Sequence, residues 1–260
     1  PKTFNMDINK IEAKITPKTK AIMPVHLYGQ PCDMNPLMKL AEKHGLYVIE
    51  DAAQAMGSKY NDKMICTIGD IGCISFYPSK NLGAFGDGGM LTTNDEKLAE
   101  KIRMIISHGS KKKYYHETLG VNSRLDSIQA AILDIKLKYL DEYCEARYNA
   151  AMKYNEKFKG IFETPYIMPG VKHIFHQYSI RVKNRDKMME FLKSNGIPSM
   201  IYYPVPLHMQ EAYKYDYKPG DYPVSEEIAK DIISLPMHTE LTDEEIDFIS
   251  SKVIEFNSIQ

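Results

Sequence analysis

The stretch from residue 47 to residue 93, YVIEDAAQAMGSKYNDKMICTIGDIGCISFYPSKNLGAFGDGGMLTT, contains two short apolar runs that each end in polar residues. Residues 47–49 are followed by Glu50 and Asp51, and residues 73–77 are followed by Pro78, Ser79 and Lys80. Short β-branched and aromatic runs bounded by Gly, Pro and Asp are typical of buried parallel strands. Because ligands of open α/β sheets bind beyond the carboxyl ends of such strands, we expect Asp51 and Lys80 to face one crevice.

The patterns on both sides of this stretch extend the α/β interpretation. Residues 20–27 (KAIMPVHL) are a strand candidate, although Pro24 argues against a central strand. Residues 33–45 have helical spacing of apolar positions and end in Gly45, a residue typical of a helix C-cap. Together with the strand that ends at Asp51, they predict a β-α-β unit.

The spacing of apolar residues is different in the second half of the chain. Residues 123–158 carry apolar positions every three or four residues without Gly or Pro, which predicts one long helix, either straight or kinked. Such a helix commonly bridges two halves of an enzyme, so we predict a large domain over residues 1–140 and a small α+β domain over 141–260. The small domain is predicted to contain strands at 175–182 and 197–203 and helices at 185–195, 224–234 and 242–256.

Composition excludes several classes of protein. The 260 residues are 43% hydrophobic with a formal charge of −1, so the net charge does not attract nucleic acid or an anionic membrane. The four cysteines are scattered and predict neither a disulfide framework nor a zinc site, and no apolar run approaches the ~20 residues of a membrane span. We expect a cytoplasmic protein without a structural or catalytic metal. The start at Pro1 leads us to expect a further segment upstream.

Four side chains of the first half form an unusual combination: Asp51, Gln54, Ser75 and Lys80. Taken singly, each has an ordinary interpretation as a turn former, a strand residue or a solvated loop residue. Taken together, they match the needs of pyridoxal phosphate. This cofactor requires a lysine amine, an acid beside its ring nitrogen, a donor to its phenolic oxygen and a hydroxyl for its phosphate.

Longer strings carry a family resemblance. EDAAQAMGSKY, IGCISFYPSKNLGAFGDGGMLTTND and GVNSRLDSIQAAIL resemble the DegT/DnrJ/EryC1/StrS sugar aminotransferases, and the likeness continues through IYYPVPLHMQEAY and IISLPMH. The resemblance implies the fold type I architecture of pyridoxal-phosphate-dependent transferases, shared with aspartate aminotransferase. That α/β fold has a large domain with a mixed, mostly parallel sheet and a smaller α+β C-terminal domain. Relatives usually begin with an additional segment that completes the cofactor site, and residues 1–260 do not include it, so we expect this segment upstream of Pro1.

The resemblance implies a role for each cofactor-site residue. Lys80 would be the catalytic residue and hold pyridoxal phosphate as a Schiff base. Asp51 would pair with the ring nitrogen, Gln54 would contact the phenolic oxygen, and Ser75 would bind the phosphate.

Further residues would serve the substrate and a shared site. Asn122 would reach the cofactor phosphate in the neighbouring subunit of a homodimer, and Arg124, Tyr202 and Tyr203 would lie near the substrate. Many relatives carry histidine at the position of Tyr202, so this chain departs from the family pattern there.

The implied reaction moves an amino group from L-glutamate to a nucleotide-linked keto sugar in amino-sugar and polysaccharide biosynthesis. Gln54 and the string NLGAFGDGG resemble the family members that aminate carbon 3, and this resemblance favours carbon 3 of a dTDP- or UDP-sugar. The alternatives are a 4-aminotransferase of the same family, a non-catalytic sugar-binding regulator, and a folded remnant acting only as an interaction module. Dehydrating relatives have histidine in place of the Schiff-base lysine, so Lys80 favours transamination.

Overall fold

The computed structural model describes residues 1–258, which form two compact units. The larger unit comprises Asn5–Cys144 and Met168–Ile174. The smaller unit comprises Pro1–Phe4, Glu145–Ile167 and the described part of Phe175–Gln260. The functional domains 1–140 and 141–260 stay a prediction. Among the described residues, no helix combines the length and apolar character that crossing a bilayer requires.

The secondary structure of the larger unit is α/β. Its strands are β1 (Ala21–Ile22), β2 (Tyr47–Asp51), β3 (Lys59–Tyr60), β4 (Lys63–Met64), β5 (Ile71–Ser75), β6 (Gly89–Thr92), β7 (Ser110–Lys112), β8 (Tyr115–His116) and β9 (Val171–Lys172). Its helices are α1 (Met34–His44), α2 (Glu96–Ile106) and α3 (Ser127–Leu137), and α4 (Leu140–Phe158) begins in it. Short 3-10 helices occupy Ile8–Lys10, Glu12–Lys14 and Leu27–Gly29.

The central sheet has the strand order β1-β2-β5-β6. The pairs β1–β2 and β2–β5 are parallel and β5–β6 is antiparallel, which agrees with the predicted mixed, mostly parallel sheet. The first strand is shorter than predicted because Pro24 cannot donate a ladder hydrogen bond. Beyond the end of β1, the segment 24–26 still pairs with the end of β2. The Asp51 N–H donates to Pro24 O and the His26 N–H donates to Asp51 O, each at 2.9 Å.

Helix α1 confirms the predicted β-α-β unit. It is followed by Gly45 at φ 61°, a left-handed conformation that glycine adopts without steric cost. Its buried residues Met34, Leu37 and Ala41 pack with Ile22 and Val48 of the sheet. This packing fixes the helix over the first two strands.

The predicted long helix over 123–158 is two helices. Helix α3 ends at Leu137 and α4 begins at Leu140. A tight turn separates them, in which the Tyr139 N–H donates to Lys136 O at 3.0 Å. The periodicity could not reveal this break, because Leu133 and Leu140 remain buried in one apolar cluster on either side of it.

The smaller unit is α+β, with strands β10 (Tyr178–Arg181) and β11 (Ile232–Leu235) and helices α5 (Arg185–Ser194), α6 (Pro223–Asp231) and α7 (Asp243–Ser258). Short 3-10 helices occupy Leu207–Met209 and Glu211–Tyr213. Helix α7, predicted at 242–256, opens with a capping box, in which the Glu245 N–H donates to Thr242 Oγ1 and the Thr242 N–H donates to Glu245 Oε2. The core contains the fully buried side chains of Tyr154, Phe158, Tyr178, Ile233 and Val253.

One predicted strand and the end of one predicted helix in this unit are wrong. The predicted strand 197–203 is only an isolated bridge between Met200 and Ser234, and Pro198 and Pro204 cannot donate ladder hydrogen bonds. Residues 232–234, at the end of the predicted helix 224–234, belong instead to strand β11, which pairs antiparallel with β10. A short, fully buried apolar run cannot be identified as strand or helix from periodicity alone.

Candidate active site

Two neighbouring strand ends organise the candidate site in the larger unit. Asp51 is the last residue of β2 and Ser75 is the last residue of β5, and the parallel register pairs Asp51 with Cys73. Lys80 follows β5 in a tight turn, where its N–H donates to Tyr77 O at 2.9 Å. The structure therefore brings the predicted acid, hydroxyl and amine to the ends of two paired strands.

The turn that carries Lys80 depends on glycine. A Cβ at Gly83 would lie 2.3 Å from Pro78 O, so no larger residue fits that close approach. Ala84 N–H donates to Phe76 O at 2.8 Å and closes the turn onto the end of β5. The sequence PSKNLGA thus folds back on itself and keeps Lys80 close to the sheet.

The Lys80 amine is half-buried and interacts electrostatically with the Asp51 carboxylate, and both features change its pKa. Burial lowers the pKa of Lys80, and the negative charge of Asp51 opposes that shift without cancelling it. Lys80 therefore loses its proton more readily than a solvated lysine does. A neutral amine is the form that attacks an aldehyde and accepts a proton.

Gln54 has its amide orientation fixed by the backbone. The Tyr28 N–H donates to Gln54 Oε1 at 2.8 Å. A backbone N–H can only donate, so the amide oxygen is assigned to Tyr28 and the amide NH2 is the group directed elsewhere. Three residues before Gln54, Asp51 Oδ1 accepts the Ala53 N–H at 3.0 Å, and this hydrogen bond orients the Asp51 carboxylate.

Ser75 is half-buried at the end of β5. Its Oγ accepts the Tyr77 N–H at 3.3 Å, so the hydroxyl proton can be donated to an anion. This is the donor that a phosphate requires.

Asn122 and Arg124 lie on an exposed segment of the larger unit. Arg124 Nε donates to Asn122 Oδ1 at 3.2 Å, and Asn122 forms an isolated bridge with Ser107. Within residues 1–258, no hydrogen bond or ion pair joins either side chain to Asp51 or Lys80. Their roles toward a partner subunit's phosphate and toward the substrate stay predictions.

Tyr202 and Tyr203 belong to the smaller unit. Their rings are in edge-to-face contact with centroids 5.6 Å apart, and Tyr203 is 52% exposed. Both rings thus present aromatic surface, and their substrate contact stays a prediction.

A buried pair that was not predicted from the sequence, His26 and Glu50, lies directly beside Asp51. Burial raises the pKa of Glu50, but hydrogen bonds from His26 and from three backbone N–H groups outweigh it and hold that pKa below its usual value. The three backbone donors belong to Gly69, Cys66 and Ile68. A signal was present: neighbouring strand residues point to opposite faces, so only one of Glu50 and Asp51 could face the crevice.

The donor set of the larger unit fits pyridoxal phosphate. Lys80 provides a readily deprotonated amine, Asp51 a carboxylate, Gln54 an amide donor and Ser75 a hydroxyl donor. Each corresponds to one chemical requirement of the cofactor: the aldehyde, the ring nitrogen, the phenolic oxygen and the phosphate.

Residues 1–254 match the DegT/DnrJ/EryC1/StrS aminotransferase family. The chain belongs to this family. The membership confirms the resemblance of the sequence motifs, the prediction of an aminotransferase enzyme and the predicted fold class.

Individual relatives of this aminotransferase cover nearly the whole chain. It is 51% identical to a pleiotropic regulatory protein of Geobacillus stearothermophilus, over 98% of this chain and 70% of that protein. It is 47% identical to a UDP-N-acetyl-3-dehydro-alpha-D-glucosamine 3-aminotransferase of Acidithiobacillus ferrooxidans, over 96% of this chain and 68% of that protein. The structure of DesV from S. venezuelae, in complex with a ketimine intermediate, matches 97% of this chain and 69% of its own, with TM-score 0.94 and 40% identity.

Proposed function

We propose that this aminotransferase uses pyridoxal phosphate to move an amino group from L-glutamate to carbon 3 of a UDP- or dTDP-linked keto sugar. One observation carries the proposal. The half-buried Lys80 amine interacts electrostatically with the Asp51 carboxylate, and the two residues lie at the ends of the paired strands β5 and β2. The name of the A. ferrooxidans relative, a 3-aminotransferase of a UDP-sugar, supports the acceptor and the carbon. The product would enter amino-sugar and polysaccharide biosynthesis in the cytoplasm.

Lys80 has two roles in this mechanism. When bound, pyridoxal phosphate supplies an aldehyde and a ring that accepts electrons. The Lys80 amine would hold the cofactor through its aldehyde and, once freed by the amino donor, would accept the proton from the donor's α-carbon. In the second half of the reaction Lys80 Nζ would return a proton to the carbon of the acceptor.

Asp51 and the neighbouring donors set the electronic state of the site. The Asp51 carboxylate would hold a proton on the ring nitrogen, since an opposite charge within a few Å raises the pKa of that nitrogen. Gln54 would donate to the phenolic oxygen and Ser75 would donate to the phosphate. Arg124, Tyr202 and Tyr203 would contact the sugar substrate.

The visible colour of the protein tests the proposal. Purified protein loaded with pyridoxal phosphate should be yellow, bleach when L-glutamate is added and recover its colour with an amino acceptor. A panel of UDP- and dTDP-linked 3-keto and 4-keto sugars then identifies the acceptor and the carbon. Bleaching by glutamate without amination of any keto sugar would contradict the sugar assignment, and no bleaching would contradict the donor.

The surface of the larger unit supports a homodimer. It exposes large apolar side chains, including Leu119 at 95%, Phe85 at 77% and Ile128 at 73%. Extensive exposed apolar surface is typical of interaction sites. The occupant we propose is a second copy of the chain, with Asn122 contacting the phosphate bound by its partner.

Mixed dimers test this shared site. Asn122→Ala and Lys80→Ala dimers should each be impaired, whereas a hybrid contains one site with both native residues. Random mixing should therefore restore about a quarter of wild-type activity. Activity that stays at the level of the separate variants, in samples where hybrid dimers are demonstrated, would contradict the shared site.

A second candidate function is regulation without catalysis. The G. stearothermophilus relative named as a pleiotropic regulatory protein supports it. Turnover separates the candidates, since a regulator would bind the sugar nucleotide without transferring an amino group. A 4-aminotransferase, the remaining alternative, would aminate only the 4-keto members of the panel.

A further inference from the structure

Near the end of β2, the buried pair of His26 and Glu50 joins loop 26–32 to loop 66–69. His26 Nε2 lies 3.1 Å from Glu50 Oε2, and neither side chain is exposed to solvent. His26 Nδ1 accepts the Cys32 N–H at 2.9 Å. Because Nδ1 is an acceptor, the ring proton of the neutral histidine is on Nε2 and is donated to Glu50.

The Glu50 carboxylate is saturated with donors. Oε2 accepts from His26 and from the Cys66 N–H at 2.8 Å, and Oε1 accepts from the N–H groups of Ile68 and Gly69 at 2.9 and 2.7 Å. All four contacts are internal and the group is buried, so its function is to hold loops 26–32 and 66–69 against β2. Glu50 thus performs a structural task immediately beside the Asp51 carboxylate.

The loop 26–32 connects this pair to Gln54. Its Tyr28 N–H donates to Gln54 Oε1, although Tyr28 has a left-handed backbone with φ 57° and ψ 7°. Non-glycine residues occupy this region at a cost, so the surrounding contacts must hold it. Asn5 is one of them: its Oδ1 accepts the Leu27 N–H at 3.0 Å and its Nδ2 donates to Gln30 O at 2.9 Å.

We propose that His26, Glu50 and Asn5 are positioning residues for the Gln54 amide. They hold the Tyr28 N–H against Gln54 Oε1, so that Gln54 presents NH2 to the cofactor's phenolic oxygen. If loop 26–32 relaxes, the amide can rotate by a half-turn and present its carbonyl oxygen, which repels a phenolate. The inference rests on the proposed function, because it assigns Gln54 to that oxygen.

A cofactor analogue separates an effect on the orientation of the Gln54 amide from an effect on the stability of the protein. In 3-deoxypyridoxal phosphate a hydrogen replaces the phenolic hydroxyl, so Gln54 has no oxygen to contact. The ratio of its dissociation constant to that of pyridoxal phosphate should exceed unity in the wild-type protein. His26→Asn keeps an acceptor for Cys32 but removes the donor to Glu50, and should lower the ratio about tenfold, the value of one hydrogen bond to a charged group.

Two further variants keep the test decisive. Asn5→Ala, at a half-buried site, should lower the ratio in the same direction, and it decides the outcome if His26→Asn does not fold. Tyr60→Phe is the matched stability control, since it removes a buried hydroxyl that donates to Asp33 Oδ1 at 2.6 Å and accepts the Asn35 N–H at 3.2 Å, two partners that lie outside loop 26–32. It should reduce thermal stability and leave the ratio unchanged.

Combination with Gln54→Ala identifies the route of the effect. If His26 acts through Gln54, adding His26→Asn to Gln54→Ala should not lower the ratio further. A ratio that stays at the wild-type value in both His26→Asn and Asn5→Ala, or a fall that adds to that of Gln54→Ala, overturns the inference. Wild-type protein that does not bind pyridoxal phosphate would contradict the proposed function itself.

Discussion

Lys80→Ala should lower turnover of the amino-transfer reaction at least about 10³-fold. The substitution removes both the amine that attaches the cofactor aldehyde and the base that moves the α-proton, and general acid–base catalysis alone contributes about 10² to 10⁴. Single-turnover absorbance with L-glutamate and steady-state turnover with the keto sugar both measure the loss. The burial that lowers the pKa of Lys80 makes this residue, rather than a solvated lysine, suited to the task.

Lys97→Ala is the matched control, because Lys97 is an exposed lysine on α2. It should retain wild-type turnover and colour. Full turnover in Lys80→Ala would exclude Lys80 as the catalytic residue.

Asp51→Asn should lower turnover about 10²-fold or more while preserving the fold. Asparagine has the same shape and can still accept the Ala53 N–H, but it lacks the charge that would keep the ring nitrogen protonated. Removing a preorganised electrostatic group from a site costs about 10² to 10³ in turnover. Asp95→Asn is the control, since Asp95 caps α2 and asparagine caps equally well.

The same substitution has a defined effect on Lys80. The Asp51 charge raises the Lys80 pKa against the larger effect of burial, so its removal should lower that pKa further. The rate at which the apoprotein attaches pyridoxal phosphate should therefore reach its plateau at a lower pH in Asp51→Asn than in wild type. A plateau that moves to higher pH, with unchanged cofactor orientation, would contradict the proximity of the two groups.

Local signals account for the parts of the fold that the sequence predicted. Gly45 ends α1 and the Thr242–Glu245 capping box opens α7, each through contacts within a few residues. The strand end at Asp51 was also predictable, and the predicted run 73–77 overlaps the end of β5 at Ser75, because short buried parallel strands have a distinctive composition. These features place the candidate site, whose residue roles stay predictions.

Contacts distant in sequence account for what was missed. Glu50 receives its partners from His26 and from residues 66–69, and no local pattern specifies those loops. Strand β11 is defined by its pairing with β10, which lies more than 50 residues earlier in the sequence. The Tyr28 contact that orients Gln54 likewise depends on a backbone conformation that its own sequence does not favour.

The central claim is that the Lys80 amine holds the cofactor, and trapping that bond tests it most directly. Protein loaded with pyridoxal phosphate is reduced with borohydride, digested and analysed by mass spectrometry. We expect the added mass on the peptide that contains Lys80, with none on that peptide after treatment with L-glutamate before reduction. Stoichiometric labelling of a different lysine, with Lys80 unmodified, would contradict the account.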